Sequence, residues 1–265
     1  MDRLTRPEFW DAGYRDGGVK RLGDGGGARR AYADRLLWDV ELTRWLREPG
    51  LSKVVEIGSA PGTNLVRLHE RFGLNPWGIE YTDAGAEANR GTFSAAGLPV
   101  DQVVQADFFS DDVAQRFSGF FDVVCSFGFV EHFTDVRGTI DRHLDLLRPG
   151  GLLVVEIPNV RGLNLALMKW MNPGLVALHN LEIMDERRFY EAFDRTRVAP
   201  LRFGPIGGVN LGGITAADPV RRQALRGLRG VQAGLNLALR AVAPTGGLES
   251  AWTSPYLLFI GRKLP

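Results

Sequence analysis

Three acidic positions, each at the end of a short apolar run, define the chemistry this chain can hold. In Val54-Val55-Glu56-Ile57-Gly58-Ser59-Ala60-Pro61-Gly62-Thr63-Asn64-Leu65 a buried strand turns through glycines into a helix. A turn of that kind lets bare backbone approach a ligand, and a side chain at Gly58 or Gly62 is expected to fill the ligand's space or forbid the dihedrals. One unit downstream stands Glu80, followed by Tyr81; its two carboxylate oxygens can accept from both hydroxyls of a ribose. The third unit ends in Gln105-Ala106-Asp107-Phe108, with a carboxylate for an adenine amino group and a ring to stack on the base. Together these strand ends describe an adenosine-shaped slot. Further on, Phe127-Gly128-Phe129-Val130-Glu131-His132-Phe133 supplies an acid and an imidazole, and His179-Asn180, with Asn159 and Arg161, supplies polar groups for contact with a bound acceptor or, in the competing reading, for bracing a loop.

Those residues need a scaffold that brings successive strand ends together. From Lys53 onward, apolar runs too short for helices (Val54 to Ile57, Trp77 to Glu80, Val103-Val104, Phe121 to Cys125, Leu152 to Val155) alternate with segments of helical period. Five β-then-α units in succession predict an α/β fold with a parallel sheet covered on both faces. Ahead of them, a polar flexible segment ends in Gly25-Gly26-Gly27, and Tyr32, Leu36, Val40 and Thr43 to Leu46 recur at helical spacing. Asp83 is placed to cap a helix ending near Gly97, and Arg148-Pro149-Gly150-Gly151 reads as a turn after the Ile140, Leu144, Leu147 stripe. Residues 1–48 are expected to form an amino-terminal cover and helix and residues 49–265 the main domain, with an insertion at about 159–199 roofing the crevice. An extended piece follows near Leu201 to Phe203. Residues 217–243 form a lid or packing helix whose apolar face runs Val220, Ala224, Leu228, Val231, Leu235, Leu239, Val242, and a last strand spans Tyr256 to Ile260.

Composition narrows the partners. The chain has 265 residues and 45% apolar content, enough for one enlarged domain. Its 32 Lys and Arg nearly balance 31 Asp and Glu, so no global field draws it to nucleic acid or an anionic membrane, and a small molecule is the expected partner. Arg221, Arg222, Arg226 and Arg229 read as a solvated helix face, and His69 and His143 as structural residues. The single Cys125, inside an apolar run, excludes an internal disulfide and reads as a buried strand residue. Neither a signal peptide nor a membrane-spanning run stands out, so a cytoplasmic location is expected. The stripe from Val220 to Val242 suits a monomer's lid and a homodimer's interface equally.

Glu56-Ile57-Gly58-Ser59-Ala60-Pro61-Gly62, Glu80, Asp107, Phe121-Asp122-Val123-Val124 and Leu147-Arg148-Pro149-Gly150-Gly151 occur in an order and spacing that resembles the class I S-adenosylmethionine-dependent methyltransferase family. The resemblance covers about residues 50 to 158 and extends more weakly to Phe9-Trp10-Asp11 and Tyr14, similar to a cofactor cover. It implies a Rossmann-like, doubly wound, mostly parallel seven-stranded sheet with an antiparallel last strand. It also implies S-adenosylmethionine as cofactor, held by Glu56, Gly58, Ser59, Ala60, Gly62, Asn64, Glu80, Tyr81, Asp107, Phe108, Trp10 and Tyr14. Methyl transfer to an oxygen of a sugar or natural product is then the expected reaction, with nitrogen as the alternative acceptor atom. His132, Glu131 and His179 are the candidate catalytic groups, His132 as first general base; the competing reading has Glu131 bracing a loop and His132 bonded structurally. Glu131-His132 resembles a pair in the ubiquinone-biosynthesis O-methyltransferase group that contributes to a metal site, but Gly128 stands where that group's preceding acid falls, so no metal is expected. A nicotinamide dehydrogenase shares the ribose acid, yet Pro61 removes a backbone donor where a diphosphate needs one. A non-catalytic adenosyl-ligand sensor on the same fold is the third class.

Overall fold

Strands buried on both faces read as unbroken apolar runs, and here five such runs become the parallel part of one sheet. The computed structural model describes residues 3–15, 31–211 and 214–265; the loop Gly25-Gly26-Gly27 and residues 16–24 before it lie outside those residues. The strands are β1 (Lys53–Ile57), β2 (Asn75–Glu80), β3 (Val103–Gln105), β4 (Phe121–Phe127), β5 (Leu147–Pro158), β6 (Val198–Ile206) and β7 (Tyr256–Lys263), in the spatial order β3-β2-β1-β4-β5-β7-β6. Strands β1 to β5 pair in parallel, while β7 runs antiparallel between β5 and β6. The fold is therefore the expected seven-stranded Rossmann-like α/β sheet with its last strand reversed. Chain order turns back between β1 and β4, and beyond the carboxyl ends of those two strands an open α/β sheet forms its ligand crevice.

Alternate residues divide the core into two layers. Val55, Ile57, Val124, Leu153 and Val155 face the side that holds α6 (Asp111–Phe117), α7 (Val136–Leu146) and α9 (Glu186–Glu191). Val54, Val123, Cys125 and Val154 face α4 (Thr63–Phe72) and the segment made of α2 (Tyr32–Arg35), a wider π turn at Leu36–Glu41, and α3 (Leu42–Leu46). Cys125 is buried there as expected. Phe259 on β7 is fully buried with its ring stacked on Phe193 at 3.6 Å between centroids. Phe259→Ala is expected to remove about 3–5 kcal/mol of stability, the usual cost of a large buried ring. Urea denaturation measures it, and a loss below about 1 kcal/mol is inconsistent with this packing.

Several local readings need correcting. Helix α5 (Asp83–Ala95) is capped by Thr82, whose hydroxyl accepts from Gly85 N at 3.2 Å, whereas Asp83 is already the first helical residue. Arg148 to Gly151 do not leave the sheet: β5 begins at Leu147, and the glycines lie where its register with β4 shifts between Phe121 and Val123. The last strand continues to Lys263. Helix α10 (Pro219–Val242) has the expected span but only part of the expected inward face, Ala224, Leu228 and Leu239 packing inward as read. Val220, Val231, Leu235 and Val242 are exposed, while Leu225 and Asn236 are buried, and Arg229 donates to the carbonyls of Leu211 and Ile214. The inward row 225, 229, 232, 236 is mostly polar because it borders a cavity and not the packed core. Arg229 thus remains exposed while also bonding to these two carbonyls.

Candidate active site

The amino-terminal segment straps the crevice shut from above. Leu4 N donates to His132 O at 2.8 Å, and Arg3 pairs with Asp107 at 2.6 Å. Helix α1 (Pro7–Arg15) follows; its Asp11 accepts from Ala84 N at the start of α5 at 3.0 Å, and Tyr14 donates to Ala60 O at 3.1 Å. Trp10 donates to Thr5 Oγ1 and sets its ring edge-on to His132 at 5.0 Å. Trp10 and Tyr14 thus take the covering positions expected of them. Arg3 and Thr5, which border the same space, were not singled out in the sequence, because an arginine and a threonine near a terminus carry no pattern.

Beneath the strap lies one cavity of about 930 Å³, near the top of the range of about 300–1,000 Å³ usual for small-molecule sites. Its floor is the turn after β1. Glu56 is buried; Oε1 accepts from Asn64 at 2.8 Å and Oε2 has no partner. Burial pushes its carboxyl up to about 8, Asn64 opposing and Glu80 reinforcing. Burial likewise raises the Tyr14 phenol, with Glu80 and Glu56 adding to it. Glu80 is buried too: Oε1 accepts from Thr82 N and Oγ1 at 2.9 and 2.8 Å, and Oε2 accepts from Ala60 N at 3.4 Å. A carboxylate has about four lone-pair sites, so with three filled about one remains for a ribose hydroxyl. Asp107 commits Oδ1 to Arg3 and to Phe109 N, leaving Oδ2.

Gly58, Ala60, Asn64, Glu80, Tyr81, Asp107 and Phe108 all border the cavity with Glu56, whereas Ser59 and Gly62 stand behind the turn. Ser59 Oγ accepts from Asn89 at 2.6 Å, and a Cβ on Gly62, at φ +90°, would meet Asn89 Oδ1. At Gly58, φ +69°, a Cβ would come 2.7 Å from the Phe129 ring. Both glycines adopt left-handed backbone, the dihedral requirement expected of this turn, and a side chain at either would collide first with Phe129 or Asn89 of the protein itself. Phe108 lies edge-on to Phe129 and His143 and is 95% buried, so its ring belongs mainly to the core.

At the other end of the cavity are Glu131, His132 and His179. The Nδ1 atoms of the two histidines lie 3.0 Å from Leu178 O and 2.8 Å from Leu175 O. A carbonyl can only accept, so each Nδ1 carries the hydrogen and each Nε2 keeps its lone pair. His132 Nε2 is 3.6 Å from Glu131 Oε1. Burial, then His179, push His132 down to about 4, with Leu178 opposing; burial pushes Glu131 up to about 8. These three residues offer ligand atoms within 4.8 Å of one another, a spacing that could hold a metal ion although none was expected. Asn180 does not reach the cavity: its N donates to Glu131 O and its Nδ2 to Phe133 O, so it braces the loop. His69 and His143 bond to Leu74 O and Thr139 O in structural roles.

With this geometry in place, residues 28–196 match the family described as "Methyltransferase domain", which is more than half of the chain. The chain belongs to the methyltransferase-domain family. Among curated proteins none matches by sequence. Among solved structures, the chain is similar to the [4+2]-cyclase SpnF, with TM-score 0.62, 15% identity, and 97% of this chain and 95% of that one covered. It is also similar to geranyl diphosphate C-methyltransferase from Streptomyces coelicolor A3(2), solved with Mg2+, geranyl diphosphate and S-adenosyl-L-homocysteine, with TM-score 0.54, 15% identity, and 84% and 78% covered. A third resemblance is to a complex between the Haloferax volcanii Trm112 methyltransferase activator and a methyltransferase, with TM-score 0.56, 17% identity, and both chains fully covered. At these identities the structures establish a shared fold. For this methyltransferase-family chain they agree with the sheet order and the crevice above, while the ubiquinone-biosynthesis branch has no support among them.

Proposed function

We propose that the chain transfers a methyl group from S-adenosylmethionine to an oxygen of a small molecule, a sugar or natural product. The observation that carries this reading is one continuous cavity joining the carboxylates Glu56, Glu80 and Asp107 to the imidazole of His132. When bound, S-adenosylmethionine supplies an electrophilic methyl on a sulfonium. The residues fit it: the unpartnered Oε2 of Glu56 suits the amino group of its amino-acid end, Glu80 the ribose, and Asp107 Oδ2 the adenine amino group. Thr5, Trp10 and Tyr14 cover the crevice and keep water out. His132 accepts the acceptor's hydroxyl proton at Nε2, and Glu131, once ionised, steadies the imidazolium that results.

A likeness to a [4+2]-cyclase means that the fold alone does not decide between methyl transfer and another reaction. Incubation with methyl-labelled S-adenosylmethionine and a panel of hydroxylated and aminated acceptors decides it. Label in an acceptor's O-methyl group supports the reading, and tight cofactor binding without transfer to any acceptor refutes it. Among the described residues no helix is long and apolar enough to cross a membrane.

Glu56 gives this reading a pH dependence. Its carboxyl is held neutral up to about 8 by burial, and a cation binds better to the ionised form. Affinity for S-adenosylhomocysteine is therefore expected to rise as pH goes from about 6 to about 8, and Glu56→Gln should flatten the slope. Titration calorimetry at several pH values checks this; an unchanged slope in Glu56→Gln removes Glu56 from the amino-group site.

A further inference from the structure

One stretch of cavity wall lies apart from the groups proposed to hold the cofactor, and of its residues only Glu131 also serves proton transfer. Glu156, near the end of β5, is 92% buried and borders the cavity. Glu131, in the turn after β4, presents a buried Oε2 with no partner. Asn159 and Asn164 also border the cavity with buried, unpartnered Oδ1 atoms, because their Nδ2 groups are spent on the carbonyls of Ala251, Ser254 and Asn159. Among the described residues this wall is rich in hydrogen-bond acceptors, with the Tyr256 hydroxyl, which accepts from Asn210, as a donor bordering the same cavity.

The nearby cations are committed elsewhere. Arg229 donates to the carbonyls of Leu211 and Ile214, and Arg67 pairs with Asp34 at 2.8 Å. Burial, then the charges of Asp34 and Glu131, push Glu156 up to about 8. A buried carboxyl beside two others, with no cation paired to it among the described residues, marks a place for positive charge that a ligand can supply. Trp38, Phe127 and Met168 give the same space an apolar side.

We propose that the acceptor carries a protonated amine that pairs with Glu156 and Glu131, together with hydroxyl donors that meet Asn159 and Asn164: an aminated polyol such as an amino sugar on an apolar body. The inference rests on the reading of this cavity as an acceptor site, and the amine is a handle distinct from the oxygen that is methylated. A divalent ion on Glu131, His132 and His179 is the competing occupant. It would leave Glu156, Asn159 and Asn164 unmet, which favours the amine.

The test uses the full chain loaded with S-adenosylhomocysteine and ligand-observed NMR with matched aryl glycosides and aryl cyclitols, each as the amine, the alcohol and the N-acetyl form. The amines are expected to bind at least about tenfold more tightly than their alcohols, the scale of one charge-assisted hydrogen bond. N-acetylation and Glu156→Gln should each erase that preference, while the affinity for S-adenosylhomocysteine stays unchanged. Amines that bind no better than the alcohols overturn the proposal. So does Mn2+ binding that excludes the amines and disappears in His179→Ala. Failure of S-adenosylhomocysteine to bind at the outset instead defeats the proposed function, so the two failures are distinguishable.

Discussion

His132→Ala is expected to lower methyl-transfer turnover about 100-fold while leaving the dissociation constant of S-adenosylhomocysteine within about twofold of the parent. General-base catalysis contributes roughly 100- to 10,000-fold, and the lower end applies because burial holds this imidazole near 4 and makes it a weak proton acceptor. What it has in its favour is geometry. The Leu178 carbonyl fixes the tautomer, Nε2 faces the cavity, and Glu131 stands 3.6 Å away to steady the imidazolium. Because the Trp10 ring rests edge-on against His132, a purely structural role would also disturb the strap and weaken cofactor binding. Partial restoration of turnover by added imidazole identifies proton transfer. Turnover at the parent rate across neutral pH excludes it.

Glu80→Ala is expected to weaken S-adenosylhomocysteine binding about 10- to 150-fold, the equivalent of about 1.5–3 kcal/mol for hydrogen bonds to a charged acceptor. The carboxylate also accepts from Thr82 N, Thr82 Oγ1 and Ala60 N, so removing it loosens the two turns that shape the crevice as well as the ribose contact. Glu80→Gln separates the two effects, since it keeps an acceptor oxygen for the turns and loses the charge and one acceptor facing the ligand. Calorimetry gives the affinities, and thermal unfolding without ligand shows whether the fold persists. An unchanged dissociation constant in Glu80→Ala removes this residue from the cofactor site.

The acids at the strand ends, together with Trp10, Tyr14 and His179, were legible in the sequence; Arg3, Thr5, Glu156 and Tyr256, which border the same cavity, were not. Glu56, Glu80 and Asp107 each follow a short apolar run, and the alternation of those runs with helical segments sets the strand order that brings them together. The cap of α5 is misplaced by one residue because Thr82 and Asp83 are both good capping types and only the backbone decides between them. The stripe on α10 misleads for a deeper reason. Apolar periodicity marks the buried face when a helix packs on a core, whereas this helix turns Gln232 and Asn236 toward a cavity and leaves Val231 and Val242 outside.

Glu156 was invisible because it sits inside the strand run Leu152 to Ile157, where an acid reads as an interruption and not as a site. Tyr256 reaches the same cavity only because β7 runs antiparallel to β5 and sets it opposite Pro158. There the Tyr256 hydroxyl accepts from Asn210 at 3.1 Å, a contact no local pattern announces. Gly58 and Gly62 have the left-handed dihedrals that the turn was read to need, but that their missing side chains spare Phe129 and Asn89 was not readable from local sequence.

The most direct test of an adenosyl-sulfonium crevice is a pair of calorimetric titrations, one with S-adenosylhomocysteine and one with NAD. Saturable binding of S-adenosylhomocysteine that Glu80→Ala weakens, with no heat from NAD, is the predicted result. Selective binding of NAD would contradict the account, because a diphosphate would then occupy the turn from which Pro61 withholds a backbone donor.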